Sequence, residues 1–331
     1  MSELADAVAR GDLDELVRLV DGMCAGRRWG SLVDLRDRCR HALEERGLQL
    51  WPAAEYAEYR MALEAPGEFA GPLVVEGAGR FALGPLWEVA ASTHTWAELE
   101  PHLPPGPART LAAHERVLRG ENLAGDASVD PLVLELPLTM EPWEPRYPVA
   151  AFFADRAEFP PPVMAEMRGS VPAPPAPTIQ DPEGTEALIE LAEPWSEQSN
   201  GRVAAVAVSG DAVGAMAASY PGPIAFTRIQ GSDALALMAW TAAGGGAYGR
   251  RRGGPLGRFG AWWVVATLGG IAWPPEQAEL GAALDRLIWV RWEPADVSHG
   301  WVGCLAVEDP VRGLAWALYA VDDHREGDQP T

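Results

Sequence analysis

The sequence predicts a mainly α-helical protein with a smaller α/β part: an N-terminal helical bundle or short irregular solenoid, a proline-rich connector, and a C-terminal α+β domain. Three observations carry this. Apolar residues recur at helical spacing through the first 120 residues, proline becomes dense between 130 and 182, and beyond 183 short strand-like runs alternate with helical ones. At 331 residues the chain is long enough for two cores, since single cores stop growing at roughly 250–300 residues. The expected division is 1–125 as a helical domain, 126–182 as the connector with short extended segments, 183–322 as the α+β domain, and 323–331 as a disordered tail.

In the helical part, Asp12 followed by Glu15 has the form of a capping box, and Leu13, Leu16, Val17, Val20 and Cys24 follow at helical spacing. A second helix opens at Ser31 and places Leu32, Leu35, Cys39, Ala42 and Leu43 on one face, with Gly47 at its C′ position. A third takes Pro52 as its first residue, stops before Pro66, and buries Tyr56, Tyr59 and Leu63. Further helices are expected near 67–77, 84–91, 96–103 and 106–119. No fixed repeat period is visible, which argues against a regular repeat array.

The connector contains LVLEL (132–136) and VAAFF (149–153), which could be short strands, and VPAPPAP (171–177), which reads as a polyproline-type spacer. Then come a short helix in GTEALIELAEP, a strand RVAAVAV (202–208), a helix capped by Asp211, a strand PIAFTRI (223–229) and a helix from Ser232-Asp233. This order suggests a small α/β unit. Helices at 256–268 and 275–286 precede LIWVRW (287–292) and WVGCLAV (301–307), which look like an antiparallel pair. Asp309-Pro310 has the form of an N-cap and N1 pair for a terminal helix to Val321, with a strand at 314–320 as the competing reading.

Charge and composition exclude several chemistries. The net charge is −21, which opposes non-specific attraction to nucleic acid or anionic lipid. All 26 basic residues are arginine. Schiff-base chemistry, a lysine general base and the P-loop Gly-Lys-Ser/Thr therefore lack their residue. The longest apolar run, 259–273, falls short of the roughly 18–20 residues that span a bilayer. Three cysteines without paired spacing and an acidic, amphipathic opening unlike a signal peptide point to the cytoplasm.

Residues 244–263, GGGAYGRRRGGPLGRFGAWW, form a basic island: no acid lies between Asp233 and Glu276. Gly244, Gly246 and Gly249 match G-x-G-x-x-G, but the preceding segment is helical and no acid follows about 20 residues on, so a dinucleotide loop is not expected. Two main readings remain. In one, the glycines end a helix and let two helices approach closely, with Tyr248, Phe259, Trp262 and Trp263 filling the corner. In the other, Gly246, Tyr248, Gly249, Arg250, Arg251, Arg252 and Arg258 form an anion site, because glycine N–H groups and guanidinium forks suit phosphate or carboxylate. A basic contact for a macromolecular partner is a third reading.

His94, His102 and His114-Glu115 lack metal-site spacing and read as satisfied or surface groups; Thr95 and Glu98 make a capping box beside His94. There is no G-x-S-x-G elbow. Cys304 reads as a buried strand residue, Asp211 as a cap, and Glu308-Asp309 as a turn rather than an acid pair. Of 14 tryptophans, eight fall between Trp240 and Trp316. Most of these should be core, and a few could line a pocket or interface.

The stretch AWTAAGGGAYGRRRGGPLGRFGAWW with the later WVGCLAVEDPVRGLAWAL resembles an uncharacterised bacterial domain family of unknown function. That family is marked by an alanine-rich helix, a Gly-Gly-Ala-Tyr/His-Gly turn, Gly-Arg and a following Ala-Trp. The resemblance covers residues 200–320, implies no activity, and leaves the helical half unplaced. The preferred reading is a non-catalytic cytoplasmic interaction or accessory module with a protein partner, and no catalytic residue, metal or cofactor is assigned. The alternative is a protein or enzyme that binds a small anion through Arg250, Arg251, Arg252 and Arg258.

Overall fold

The structure, a computed structural model, describes residues 3–79, 82–169, 174–295 and 300–322. It divides into two compact units, one of residues up to 133 with 137–139 and 149–159, the other of 134–136, 140–148 and everything from 160 on. The expected connector is thus shared out between the two. The expected tail at 323–331 lies outside the described residues.

The first unit is helical: α1 (Glu3–Arg10), α2 (Leu13–Ala25), α3 (Trp29–Arg46), α4 (Trp51–Glu64), α5 (Gly67–Ala70), α6 (Leu86–Thr93), α7 (Trp96–Leu99) and α8 (Pro107–Leu118). Local signals set several ends. Asp12 accepts from the Glu15 N–H at 3.0 Å, and Gly47 closes α3 in the left-handed conformation at φ 69°. α4 is the central helix, packed on α2, α3 and α6. Its Ala53, Ala54, Ala57 and Ala62 are buried small residues that let neighbours come close. The helix expected over 67–77 stops at Ala70 and continues only as a 3-10 turn, Gly71–Leu73. Pro72 lacks the N–H that would carry the α-helical ladder on, although Gly71 before it keeps helical angles at φ −56° and ψ −47°.

LVLEL is not a strand: residues 131–134 form a turn in which Asp130 accepts from the Leu132 N–H, and Glu135 has φ 56°. VAAFF does yield a short strand, β1 (Ala151–Phe152), paired antiparallel with β2 (Ala157–Glu158).

The second unit holds β3 (Arg168–Gly169), β4 (Thr178–Ile179), α9 (Pro182–Glu197), β5 (Arg202–Ser209), α10 (Ala212–Ser219), β6 (Ile224–Ile229), α11 (Gly231–Ala243), α12 (Gly254–Gly269), α13 (Gln277–Arg286), β7 (Ile288–Pro294), β8 (Trp301–Val302), β9 (Leu305–Asp309) and β10 (Leu314–Asp322). One sheet runs β3-β6-β7-β9-β10-β5-β4, with β8 also on β10, and every pairing is antiparallel. The mainly helical class with a smaller strand-bearing part is therefore present. The two strands flanking α10 are not neighbours, however, because β5 lies between β10 and β4 while β6 lies between β3 and β7. α10 seals one face of the sheet with Ala212, Ala215 and Met216 over Val208, Val290, Trp292 and Ala317. α9 packs on β5 and β10 and on α12, and α11 packs along α12.

The terminal helix expected after Asp309-Pro310 is strand β10. Asp309 caps a turn instead: its Oδ1 accepts from the Val311 and Arg312 N–H groups, its Oδ2 takes the Arg312 side chain at 2.7 Å, and Gly313 has φ 66°. Leu314 then pairs back on Asp309. Burial pushes the Asp309 carboxyl up, but the Arg312 and backbone hydrogen bonds outweigh it and hold it below its ordinary value. A depressed folded-state value adds stability that is fully present above the unfolded carboxyl's range and is lost as pH falls from there through the folded value. Asp309→Asn should therefore lower stability at neutral pH and narrow the difference from wild type under acid, as read by urea unfolding at a series of pH values.

Candidate functional site

The glycine stretch is a helical corner that carries its own anion. α11 ends at Ala243, whose carbonyl accepts from both Arg252 N–H (2.9 Å) and Gly253 N–H (3.1 Å), so the chain makes a closed loop before α12. Gly246 has φ 75°, and a Cβ there would strike Asp322 Oδ2. That oxygen accepts from the Ala247 N–H and the Ser199 hydroxyl, both at 2.6 Å, and Ser199 in turn accepts from the Tyr248 N–H at 3.1 Å. Asp322 is wholly buried at the end of β10. The glycine-flanked N–H group thus serves a carboxylate from the chain itself.

Arg258 is likewise committed. It is wholly buried, and its Nε and Nη2 donate to the two oxygens of buried Glu144 at 2.8 and 2.7 Å. The indole of Trp262 donates to the same carboxylate at 2.7 Å and the Tyr147 hydroxyl at 2.8 Å. Trp143 packs its ring on Trp262, centroids 5.1 Å apart, and fills the space left by Gly281 on α13. Burial, and then the Glu144 charge, push the Tyr147 phenol well above its usual value, so it stays a neutral donor. Tyr147 and the Glu144 side chain of the proline-rich segment are therefore buried in the second unit, and the wholly buried Arg258 cannot meet a ligand from solvent.

The remaining members of the expected set lie apart from that pair. Gly249 crosses Gly245 so closely that a Cβ would enter its carbonyl. Tyr248 and Arg250 are exposed, Arg251 and Arg252 half-buried. The Arg250 N–H meets Gln198 at 3.3 Å, and the Arg252 guanidinium reaches the Glu190 carbonyl on α9 at 3.2 Å. Burial lowers Arg252 from its ordinary value, opposed by Glu193 and Glu190. Arg252 and Arg258 thus turn to different partners.

The other candidates settle into structure. His94 is buried with Nδ1 2.9 Å from the Ala90 carbonyl and Nε2 2.6 Å from the Ala65 carbonyl. Thr95 and Glu98 form the expected capping box. Asp211 caps α10 at 2.7 Å from the Gly214 N–H, and Glu308 accepts from the Ala212 N–H while its neighbour Asp309 serves the turn. Cys304 is buried, and its thiol is pushed up to about 12 by that burial. Among the described residues no His, Cys, Asp and Glu cluster could hold a metal ion. Half-buried Trp301 stacks on buried Trp240, both meet buried Trp195 edge-to-face, and the Trp195 indole donates to the Thr241 carbonyl.

A cavity in the helical unit went unmarked by motif. It measures about 400 Å³ and is lined by Trp51, Pro52, Glu55, Tyr56 and Tyr59 of α4, by Ala82 and Leu83, and by Ala154 and Asp155. Trp51, Glu55 and Tyr59 stand at i, i+4 and i+8, one face of the helix. The Tyr59 hydroxyl donates to the Phe153 carbonyl, which holds the 153–155 turn against α4. Tyr56 donates to Asp21 at 2.8 Å. Trp51 and Leu83 each remain 43% exposed, which is unusual for large apolar side chains grouped around a cavity. The i, i+4, i+8 spacing was the available signal, but it cannot tell a lined cavity from a filled core.

A family model described as Family of unknown function (DUF6183) matches residues 14–323, so the resemblance seen at 200–320 extends through the helical unit as well. Neither the curated proteins nor the solved structures contain a match. No helix among the described residues is long and apolar enough to cross a membrane.

Proposed function

The chain belongs to this family of unknown function, and we propose that it acts as a non-catalytic binding module whose helical unit receives an apolar anchor from a basic partner polypeptide. The observation that carries this is the cavity of about 400 Å³ beside α4, with Trp51 and Leu83 half-exposed at its mouth. Its size and mostly apolar walls suit a large side chain or two. Partly exposed aromatic residues around a pocket are the usual anchors of protein interfaces. A net charge of −21 favours a basic partner over an acidic one. A reducing, cytoplasmic setting is part of the proposal, supported by Cys24, Cys39 and Cys304 as buried free thiols.

Peptides selected from a random display library against the whole protein provide the test. Selected peptides should lose about ten-fold or more in affinity for Trp51→Ala or Leu83→Glu, the size of one anchor contact. They should keep their affinity for Ala282→Glu, at an exposed position in the other unit. Equal binding to all variants would place the recognition surface elsewhere and overturn the proposal.

A further inference from the structure

We infer that a second cavity of the helical unit, separate from the one beside Trp51, binds a short zwitterionic peptide by its two charged ends. This cavity measures about 660 Å³, and its walls include Arg27 and Trp29 at the α2–α3 corner, Glu64 at the end of α4, Glu68 on α5 and Glu98 on α7. Most polar groups of the wall are already engaged. Glu64 pairs with Arg60 at 2.6 Å, and Glu98 accepts from the Thr95 N–H and hydroxyl, both at 2.8 Å. The Thr93 hydroxyl donates to the Leu63 carbonyl at 2.8 Å, and both His94 ring nitrogens meet backbone carbonyls. Two opposite charges stay open. Among the described residues, the exposed Arg27 guanidinium and Glu68 carboxylate make no hydrogen bond or ion pair, with each other or with any other group.

Arg27 also stands where a helix end favours glycine. α2 closes with the Arg28 N–H on the Met23 carbonyl and the Arg27 N–H on the Cys24 carbonyl, both at 2.9 Å, and Arg27 takes the left-handed C′ position at φ 51°. α12 closes by the same two bonds, Ile271 N–H to Ala266 and Gly270 N–H to Thr267, and there the residue is a glycine at φ 71°. α3 turns on Gly47 at φ 69°. A side chain in that conformation costs backbone energy, so the guanidinium at the cavity is held against the local preference. Glu68 is placed by its neighbour: a Cβ on Gly67 would enter the Glu98 carbonyl, so the start of α5 lies tight against α7.

Opposite charges that line one cavity without meeting suit a ligand that carries both in the reverse order. The Arg27 fork takes a carboxylate, and Glu68 takes an ammonium. A purely anionic ligand would set three wall carboxylates against one guanidinium, and a purely cationic one would face Arg27. The volume is larger than a single amino acid needs, and the two open charges do not reach each other. The ligand's charges therefore sit at the two ends of a short chain, with Pro66 and Ala97 as apolar wall between them.

Three near-isosteric probes read the two ends separately: trialanine, its N-acetyl form and its C-terminal amide, titrated into the ¹⁵N-labelled whole protein. The readout is the backbone amide resonances of residues 27 and 68. Trialanine should bind about five-fold more tightly than either blocked form, the upper end for one exposed ion pair. Glu68→Gln should bring trialanine and the N-acetyl form together. Arg27→Gly should bring trialanine and the amide together while melting no lower than wild type, because glycine suits the left-handed position. Equal binding of all three probes by wild type overturns the reading of charged ends, and no shift with any probe overturns the cavity as a peptide site. A lower melting temperature for Arg27→Gly would mean that the arginine serves the C-terminus of α2, and overturns its assignment to a ligand.

Discussion

Arg258→Ala should destabilise the second unit by about 3–5 kcal/mol, the cost of removing one partner from a buried ion pair. The loss has two parts. The Glu144 carboxylate would remain buried with the neutral Trp262 indole, Tyr147 hydroxyl and Glu141 N–H in place of a cation, and the volume of a fully buried arginine would become a cavity. Glu144→Ala should cost a similar amount, because the buried guanidinium loses its carboxylate and three neutral donors lose their acceptor. The double variant Glu144→Gln/Arg258→Met is the informative control. It removes both charges and roughly keeps volume, while the amide oxygen still accepts from Trp262. It should be more stable than the two single losses added together, by about 1–3 kcal/mol of coupling. Hydrogen exchange resolved on α12 reports this unit separately. Protection in Arg258→Ala equal to that of wild type would show that the pair holds nothing together.

That pair also shows where sequence reading reaches its limit. Charge and shape at 244–263 are legible locally: the glycines mark a corner, and the forked guanidinium calls for a planar anion. The identity of the anion is not legible, because Glu144 lies 114 positions from Arg258 and Asp322 lies 75 from Ala247. Nothing in the spacing of either stretch ties it to the other. At Arg258 and at the Ala247 N–H the chain itself supplies the carboxylate.

The same division between local and distant causes runs through the fold. Asp12, Gly47 and Asp211 declare helix ends because their side chain or missing Cβ acts within four residues. β10 does not declare itself. LAWALYAV is apolar on every side, so both periods fit it, and its state follows from pairing with β9 on one edge and β5 on the other. The cavity beside α4 is hidden for a related reason: its walls come from 51–59, 82–83 and 154–155, three segments whose proximity only the fold creates.

Gly257→Ala should also be strongly destabilising, against the usual sign for this substitution. In an ordinary helix interior, replacing glycine by alanine gains about 1 kcal/mol through reduced backbone entropy. At Gly257 the helix is instead pressed on α11: an added Cβ would enter the Ala239 carbonyl and approach Ala243 Cβ to 2.9 Å. A carbonyl in the middle of α11 cannot turn aside as the end of a side chain can, so the two helices must part. Overpacking of this kind costs about 1–3 kcal/mol, and here the displaced partner also carries the Ala243 carbonyl that closes the corner. Two other glycines calibrate the result. At Gly260 no backbone atom is close and the nearest atoms, Leu191 Cδ2 at 3.2 Å and Ala242 Cβ at 3.3 Å, need give only a few tenths of an ångström, so Gly260→Ala should be close to neutral. At Gly30 on α3 nothing lies within 4 Å, so Gly30→Ala should stabilise by up to about 1 kcal/mol. Hydrogen exchange along α3, α11 and α12 would read all three. Ordering Gly30→Ala above Gly260→Ala above Gly257→Ala is what close backbone contact between α11 and α12 requires, and a stabilised Gly257→Ala would mean that the two helices do not touch there.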